Sequence, residues 1–232
     1  MTNSKTLKLI KLLTGILLLP CCVAITISFL HQLDIMGHGG GLLHDWRLPF
    51  FAMGFAMWLV AFYYIPKPTR VYVFGHELTH ALWAKMMGAK VGSLRVGKNG
   101  GSVAVSKTNF LITLSPYFFP FYCVLFGVVF LAGDFFWDWY GYIRVLCFSL
   151  GLGWSFHLTF TITTLFTRQS DVMQNGRVFS GVVIYWMNFL VLGLILNLIT
   201  TRGNVWSFLK LLWHDHVDVW TWLARAIGAI VS

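Results

Sequence analysis

Apolar residues run along this chain in long blocks separated by short polar breaks. The blocks cover residues 9–30, 48–65, 71–88, 110–132, 142–166 and 179–199. About 20 mostly apolar residues suffice for a helix to cross the hydrocarbon of a bilayer, so the pattern predicts about six transmembrane helices. Pro66 and Pro68 end the second block by pushing the residues before them out of helix. Gly88 is placed to cap the third. Pro116 and Pro120 lie inside the fourth and should kink it. Residues 90–107 differ in kind: Val91-Gly92-Ser93-Leu94-Arg95-Val96 and Ser102-Val103-Ala104-Val105 alternate, and Asn99-Gly100 between them is a turn signal, which predicts a β-hairpin. From Val205 the tail mixes tryptophans with Lys210 and Arg225 around His214-Asp215-His216-Val217-Asp218. That cluster holds metal-ligand residue types, but it is read as a polar turn between two interfacial amphipathic helices. The expected fold class is an all-α polytopic membrane protein with a small β-hairpin after the third helix. It forms one domain, 1–232, with a core at 71–199, N-terminal membrane segments at 1–66 and an interfacial tail at 203–232.

Composition agrees with a membrane setting. Charged residues make up 11% of the chain and apolar ones 57%, with mean hydropathy +0.72, where a soluble domain carries about 25% charged residues. The formal net charge is +9, but the basic residues are dispersed over loops between apolar blocks. Anionic lipid headgroups fit that distribution better than nucleic acid does. Lys5, Lys8 and Lys11 precede an apolar run too long for a signal peptide, so the first block reads as a retained anchor. The expected location is multi-pass in a cell membrane, the inner membrane of a bacterium. Cys21, Cys22, Cys123 and Cys147 all fall in apolar blocks and read as buried free thiols. His38 and His44 lie in a glycine-rich stretch that reads as a surface loop.

One set of polar residues interrupts the third block: Phe74-Gly75-His76-Glu77-Leu78-Thr79-His80-Ala81. In a helix, His76 and His80 fall on one face and can present ring nitrogens to a single ion. Glu77 follows His76 and is placed to take a proton from a water at that ion. Ionisable groups at membrane depth are costly and mark function by default. A catalytic zinc site uses three protein ligands, and the third can be sought by elimination. Glu77 is the only glutamate in the chain, so the third ligand is an aspartate or a histidine, and Glu77 has no rival as general base. Asp171 and His157 are the candidates near the bundle. At 1.5 Å per residue, His80 and His76 lie about 12 and 18 Å along their helix from Gly88, and His157 about 15 Å from the end of its own, which favours His157 on depth.

The motif, the hairpin with Gly100-Gly101, the proline-bearing Ser115-Pro116 and an aspartate at the start of a later apolar block resemble, in that order, the site-2 protease family of intramembrane zinc metalloproteases. The resemblance covers roughly residues 71–199. It implies Zn²⁺ held by His76, His80 and Asp171, with Glu77 activating water and His157 left as the alternative third ligand or a partner of the ligands. It implies a transmembrane protein as substrate, cut within or near the bilayer, with the hairpin pairing to the extended segment. The expected function is therefore a zinc-dependent intramembrane endopeptidase. Two other classes compete: a non-catalytic zinc-binding scaffold or chaperone of the same fold, and a transporter with a metal site. Retention of His76, Glu77 and His80 together argues against the scaffold. Concentration of the deep polar groups on one helix argues against a transport path.

Overall fold

The computed structural model describes residues 4–37, 45–97, 100–167, 169–200 and 203–231. These are mostly helical, with one two-stranded antiparallel sheet. The helices are α1 (Ser4–Leu17), α2 (Leu19–Gly37), α3 (Arg47–Tyr64) and α4 (Thr69–Met86), then strands β1 (Val91–Gly97) and β2 (Gly100–Val105). After them come α5 (Phe110–Leu114), α6 (Phe121–Trp137), α7 (Ile143–Leu165), α8 (Ser170–Asn175), α9 (Arg177–Ile199) and α10 (Val205–Val231). Four stretches are long and apolar enough to cross a membrane: Lys5–Gly37, Arg47–Tyr64, Trp139–Leu165 and Arg177–Ile199. The α5–α6 pair adds a fifth if it counts as one span, bent by 79°. The expected third span, α4, is not among them, because His76, Glu77, Thr79 and His80 interrupt its apolar run.

The described residues fall into two compact units. The first comprises residues 1–45 and 175–232, and the second residues 46–174. In the first, α2 packs on α9 and α10, and α1 packs on α9. Gly15 lets α1 approach the backbone of Phe179, where an added Cβ would lie 2.8 Å from its nitrogen. Between two apolar helices without a hydrophobic drive to associate, such small-residue contacts bring the backbones close. Gln32 donates to Asn197 across α2 and α9 at 3.1 Å, both residues being buried.

The second unit holds the motif. Its spine is α3 against α7, closed by two glycines: a Cβ on Gly54 would strike the carbonyl of Phe148, and one on Gly151 that of Phe51. Trp58 then donates to Thr159 at 2.9 Å across the same seam. α4 starts after the Pro66–Pro68 break and ends in a Schellman turn. Gly88 takes φ +70° there, its N–H bonds to Lys85 and the N–H of Ala89 to Ala84, which satisfies carbonyls left over at the helix end. Ala84 and Ala89 pack with Ile112 in a small apolar cluster, which fixes where the hairpin leaves the helix. In the hairpin Val103 faces Leu94, Ser102 faces Arg95 and Gly101 faces Val96, with a bulge between Val91 and Leu94. The predicted turn falls partly outside the described residues, which omit 98 and 99; Gly100 takes φ +141°, in the region that favours glycine.

The fourth block is broken outright rather than kinked. Asn109 caps α5 by accepting from the Ile112 N–H at 2.9 Å. Ser115–Tyr117 form a 3₁₀ turn, and α6 starts after Pro120. Each proline removes a backbone donor and clashes with the preceding turn, and two within five residues leave no room for a continuous helix. The tail also differs from expectation. Val205–Val231 is one helix running through His214–Asp218, not two joined there. No glycine or proline interrupts residues 205–227, so polarity alone marked no turn. His38 and His44 lie outside the described residues.

Candidate metal centre

The site is built in the second unit on one face of α4. His76 and His80 stand one turn apart with ring centroids 4.9 Å from each other. Asp171, in the first turn of α8, meets both. Its Oδ2 lies 3.7 Å from His76 Nε2 and 3.5 Å from His80 Nε2. The ligand atoms of the three residues all fall within 4.8 Å of one another. Two zinc–ligand bonds of about 2.0–2.1 Å at a tetrahedral angle put their ligand atoms about 3.3 Å apart, so the observed spacings need only small adjustment to close on one ion.

The other ring nitrogens are already engaged, and one of them settles a tautomer. His80 Nδ1 lies 2.7 Å from the carbonyl oxygen of Ile112. A carbonyl only accepts, so Nδ1 carries the hydrogen, and in the neutral ring Nε2 keeps its lone pair. The helical partner of that carbonyl would be the nitrogen of Pro116, which has no hydrogen, so it accepts from His80 and from the Ser115 hydroxyl at 3.0 Å instead. Neutral His80 and ionised Asp171 then aim lone pairs at one point from 3.5 Å apart, a conflict that a bound cation or a proton relieves. His76 Nδ1 sits 3.2 Å from the hydroxyl of Tyr72, which also receives the Thr164 hydroxyl at 3.1 Å and stacks on Phe160 at 4.5 Å. Tyr117, fully buried in the 3₁₀ turn, donates to Asp171 Oδ2 at 3.2 Å. Burial pushes the Asp171 carboxyl up, but its contacts with His76 and His80 more than reverse this and hold it well below the usual carboxylate range. Partners of this kind orient metal ligands and raise their basicity.

Glu77 is 8% exposed and lines the same cleft, of about 740 Å³, as His76, His80 and Asp171. β2 forms the opposite wall at Gly100–Val103. Gly101 is what lets it come so near: a Cβ there would lie 2.6 Å from Glu77 Cγ and 2.7 Å from Val73 Cγ1. Threonines 163, 164 and 167, with Gln169 and Gln174, supply a third, polar wall. Thr163 turns back on α7 and donates to the Thr159 carbonyl, and Thr167, just past the end of that helix, donates to the Thr164 carbonyl.

His157 does not join the three. It is buried at 8% exposure, its ring 5.5 Å from that of Trp154. It borders a separate void of about 20 Å³ that His76 also touches. The depth argument for it assumed that α4 spans the bilayer and that Asp171 stays at the surface; here α8 carries Asp171 back to α4. Tyr72 and Tyr117 were not singled out from the sequence. Tyr72 was within reach, lying one turn before His76 on the same helical face. Tyr117 was not, since its contact is made across 54 positions of chain. Comparison with family models, curated proteins and solved structures found no match.

Proposed function

We propose that this chain is a zinc-dependent intramembrane endopeptidase resembling the site-2 protease family, with about six transmembrane segments in a bacterial cell membrane. The observation that carries the reading is the convergence of two imidazole nitrogens and a carboxylate beside the one glutamate of the chain, in a cleft walled by a strand. His76, His80 and Asp171 would hold the ion. When bound there, zinc supplies a Lewis acid that acidifies water and polarises a peptide carbonyl. Glu77 takes the proton of the attacking water and returns it to the leaving amine, so that water adds across the C–N bond and two chain ends result. Tyr72 and the Ile112 carbonyl keep His76 and His80 in the orientation that binding needs, and Tyr117 does the same for Asp171.

The walls of the cleft support a peptide taken up in extended form. β2 has β1 on one side and no second strand partner among the described residues. An extended peptide can therefore add to its free edge, with main-chain hydrogen bonds giving affinity. Transmembrane helices do not offer an extended backbone, so the segment must unwind locally. The hydroxyl and amide groups of Thr163, Thr164 and Gln169 suit the backbone groups that unwinding exposes. The test is cleavage of single-span membrane proteins by the purified chain in proteoliposomes. Cleavage that a chelator abolishes and added Zn²⁺ restores is the expected result. Zinc bound stoichiometrically with no chelator-sensitive cleavage of any span would instead favour the scaffold.

A further inference from the structure

The first unit carries a second group of metal-ligand side chains that the proteolytic reading leaves unused. Asp215 of α10 is 4% exposed, and a carboxylate that deep is retained only where it is paired or holds a metal. Its two oxygens face two histidines. Oδ2 lies 3.3 Å from Nδ1 of His31, which comes from α2, and Oδ1 lies 4.0 Å from Nδ1 of His214. His214 Nδ1 in turn stands 3.2 Å from Asp218 Oδ2, one helical turn on. One nitrogen thus faces two carboxylates and can donate a hydrogen well to only one of them. The ligand atoms of His214, Asp215 and Asp218 lie within 4.8 Å of one another.

We infer that His214, Asp215 and Asp218 form a second divalent-metal site, suited to Zn²⁺, on α10, with His31 of α2 holding the other oxygen of Asp215. One imidazole and two carboxylates are a donor set zinc accepts, and spacings of 3.2 and 4.0 Å bracket the edge of about 3.3 Å that its bond lengths require. The His214 and Asp218 side chains are 73% and 62% exposed, so the ion enters from solvent. The chain's single glutamate is at position 77, so no glutamate base stands beside this group, and the role of the site is structural. His31 reaches Asp215 from 184 positions away in the chain, so the carboxylate is set in place only in the folded unit, and an ion held there stabilises the folded state by binding it and not the unfolded chain.

The test counts zinc in the full chain, purified in detergent, stripped with chelator, reloaded with ZnCl₂ and desalted. Wild type should hold two zinc ions per chain, and the His214→Ala/Asp218→Ala variant one. The His76→Ala/His80→Ala variant should also hold one, and its thermal midpoint should rise on adding ZnCl₂. In the chain carrying all four changes both the ion and the rise should disappear. A zinc count unchanged by His214→Ala/Asp218→Ala overturns the site. Failure of the proteolytic reading would appear as missing cleavage with both ions in place, so the two outcomes are separable.

Discussion

Among the described residues, two places gather histidine and aspartate within ligand distance, and their surroundings differ. In the second unit, His76, His80 and Asp171 are withdrawn into a cleft, the other ring nitrogens held by Tyr72 and the Ile112 carbonyl and the facing oxygen of Asp171 also held by Tyr117. Glu77 and a free strand edge lie alongside. In the first unit, His214 and Asp218 project into solvent with only Asp215 buried, and neither a strand nor a glutamate is near in sequence. The donor atoms are of the same types, so the donor set alone does not distinguish a reactive centre from a structural clip. Oriented ligands, a base and a walled space for an extended peptide make the difference.

The comparison breaks most sharply at the ligands. Asp171→Ala or His80→Ala should remove the cleft zinc and take cleavage below detection, with one ion per chain left at the first unit, whereas His157→Ala should leave the cleft zinc in place. Metal counting with a cleavage assay on each variant decides this, and loss of zinc in His157→Ala with retention in Asp171→Ala would reverse the ligand assignment.

A smaller effect should follow from the groups that orient the ligands. Tyr117→Phe and Tyr72→Phe each remove one hydroxyl and no ligand, and second-partner changes of that kind cost about 10–100-fold in metal affinity or activity. Competition with a chelator of known affinity reads the first quantity. Equal affinity and turnover in wild type and both variants would show that the cleft ligands are no better supported than His214 and Asp218.

The smallest of these effects belongs to the strand. Val103→Pro deletes a backbone donor from β2, so turnover of a membrane substrate should fall several-fold while zinc per chain stays unchanged. Undiminished turnover would return the hairpin to an ordinary surface feature.

How far the sequence reached follows from the distance over which each feature is encoded. The motif helix, its glycine cap and the hairpin are local, set by spacing and turn residues within a few positions, and they could be placed from the pattern alone. The Ile112 carbonyl was also legible in principle, because Pro116 four positions on deprives it of its helical backbone donor. Asp171 could be shortlisted, but its meeting with α4 depends on the path through α7 and α8. No periodicity encodes that path. The pairing of α1 and α2 with α9 and α10 was invisible for the same reason, resting on close approaches such as Gly15 against Phe179. The tail misled in the opposite direction. His214 to Asp218 is polar enough to suggest a turn, yet without a glycine or proline the backbone continues, and the i to i+4 spacing puts His214 and Asp218 on one face of α10.

The central claim is that Glu77 acts on water at a metal which it does not itself hold. Glu77→Gln keeps the size of the side chain and removes its basicity. In the purified chain with a single-span substrate, zinc per chain should equal that of wild type, while cleavage should fall by about 10²–10⁴-fold, the usual contribution of a general base. Cleavage by Glu77→Gln at the wild-type rate, with zinc content unchanged, would contradict the account.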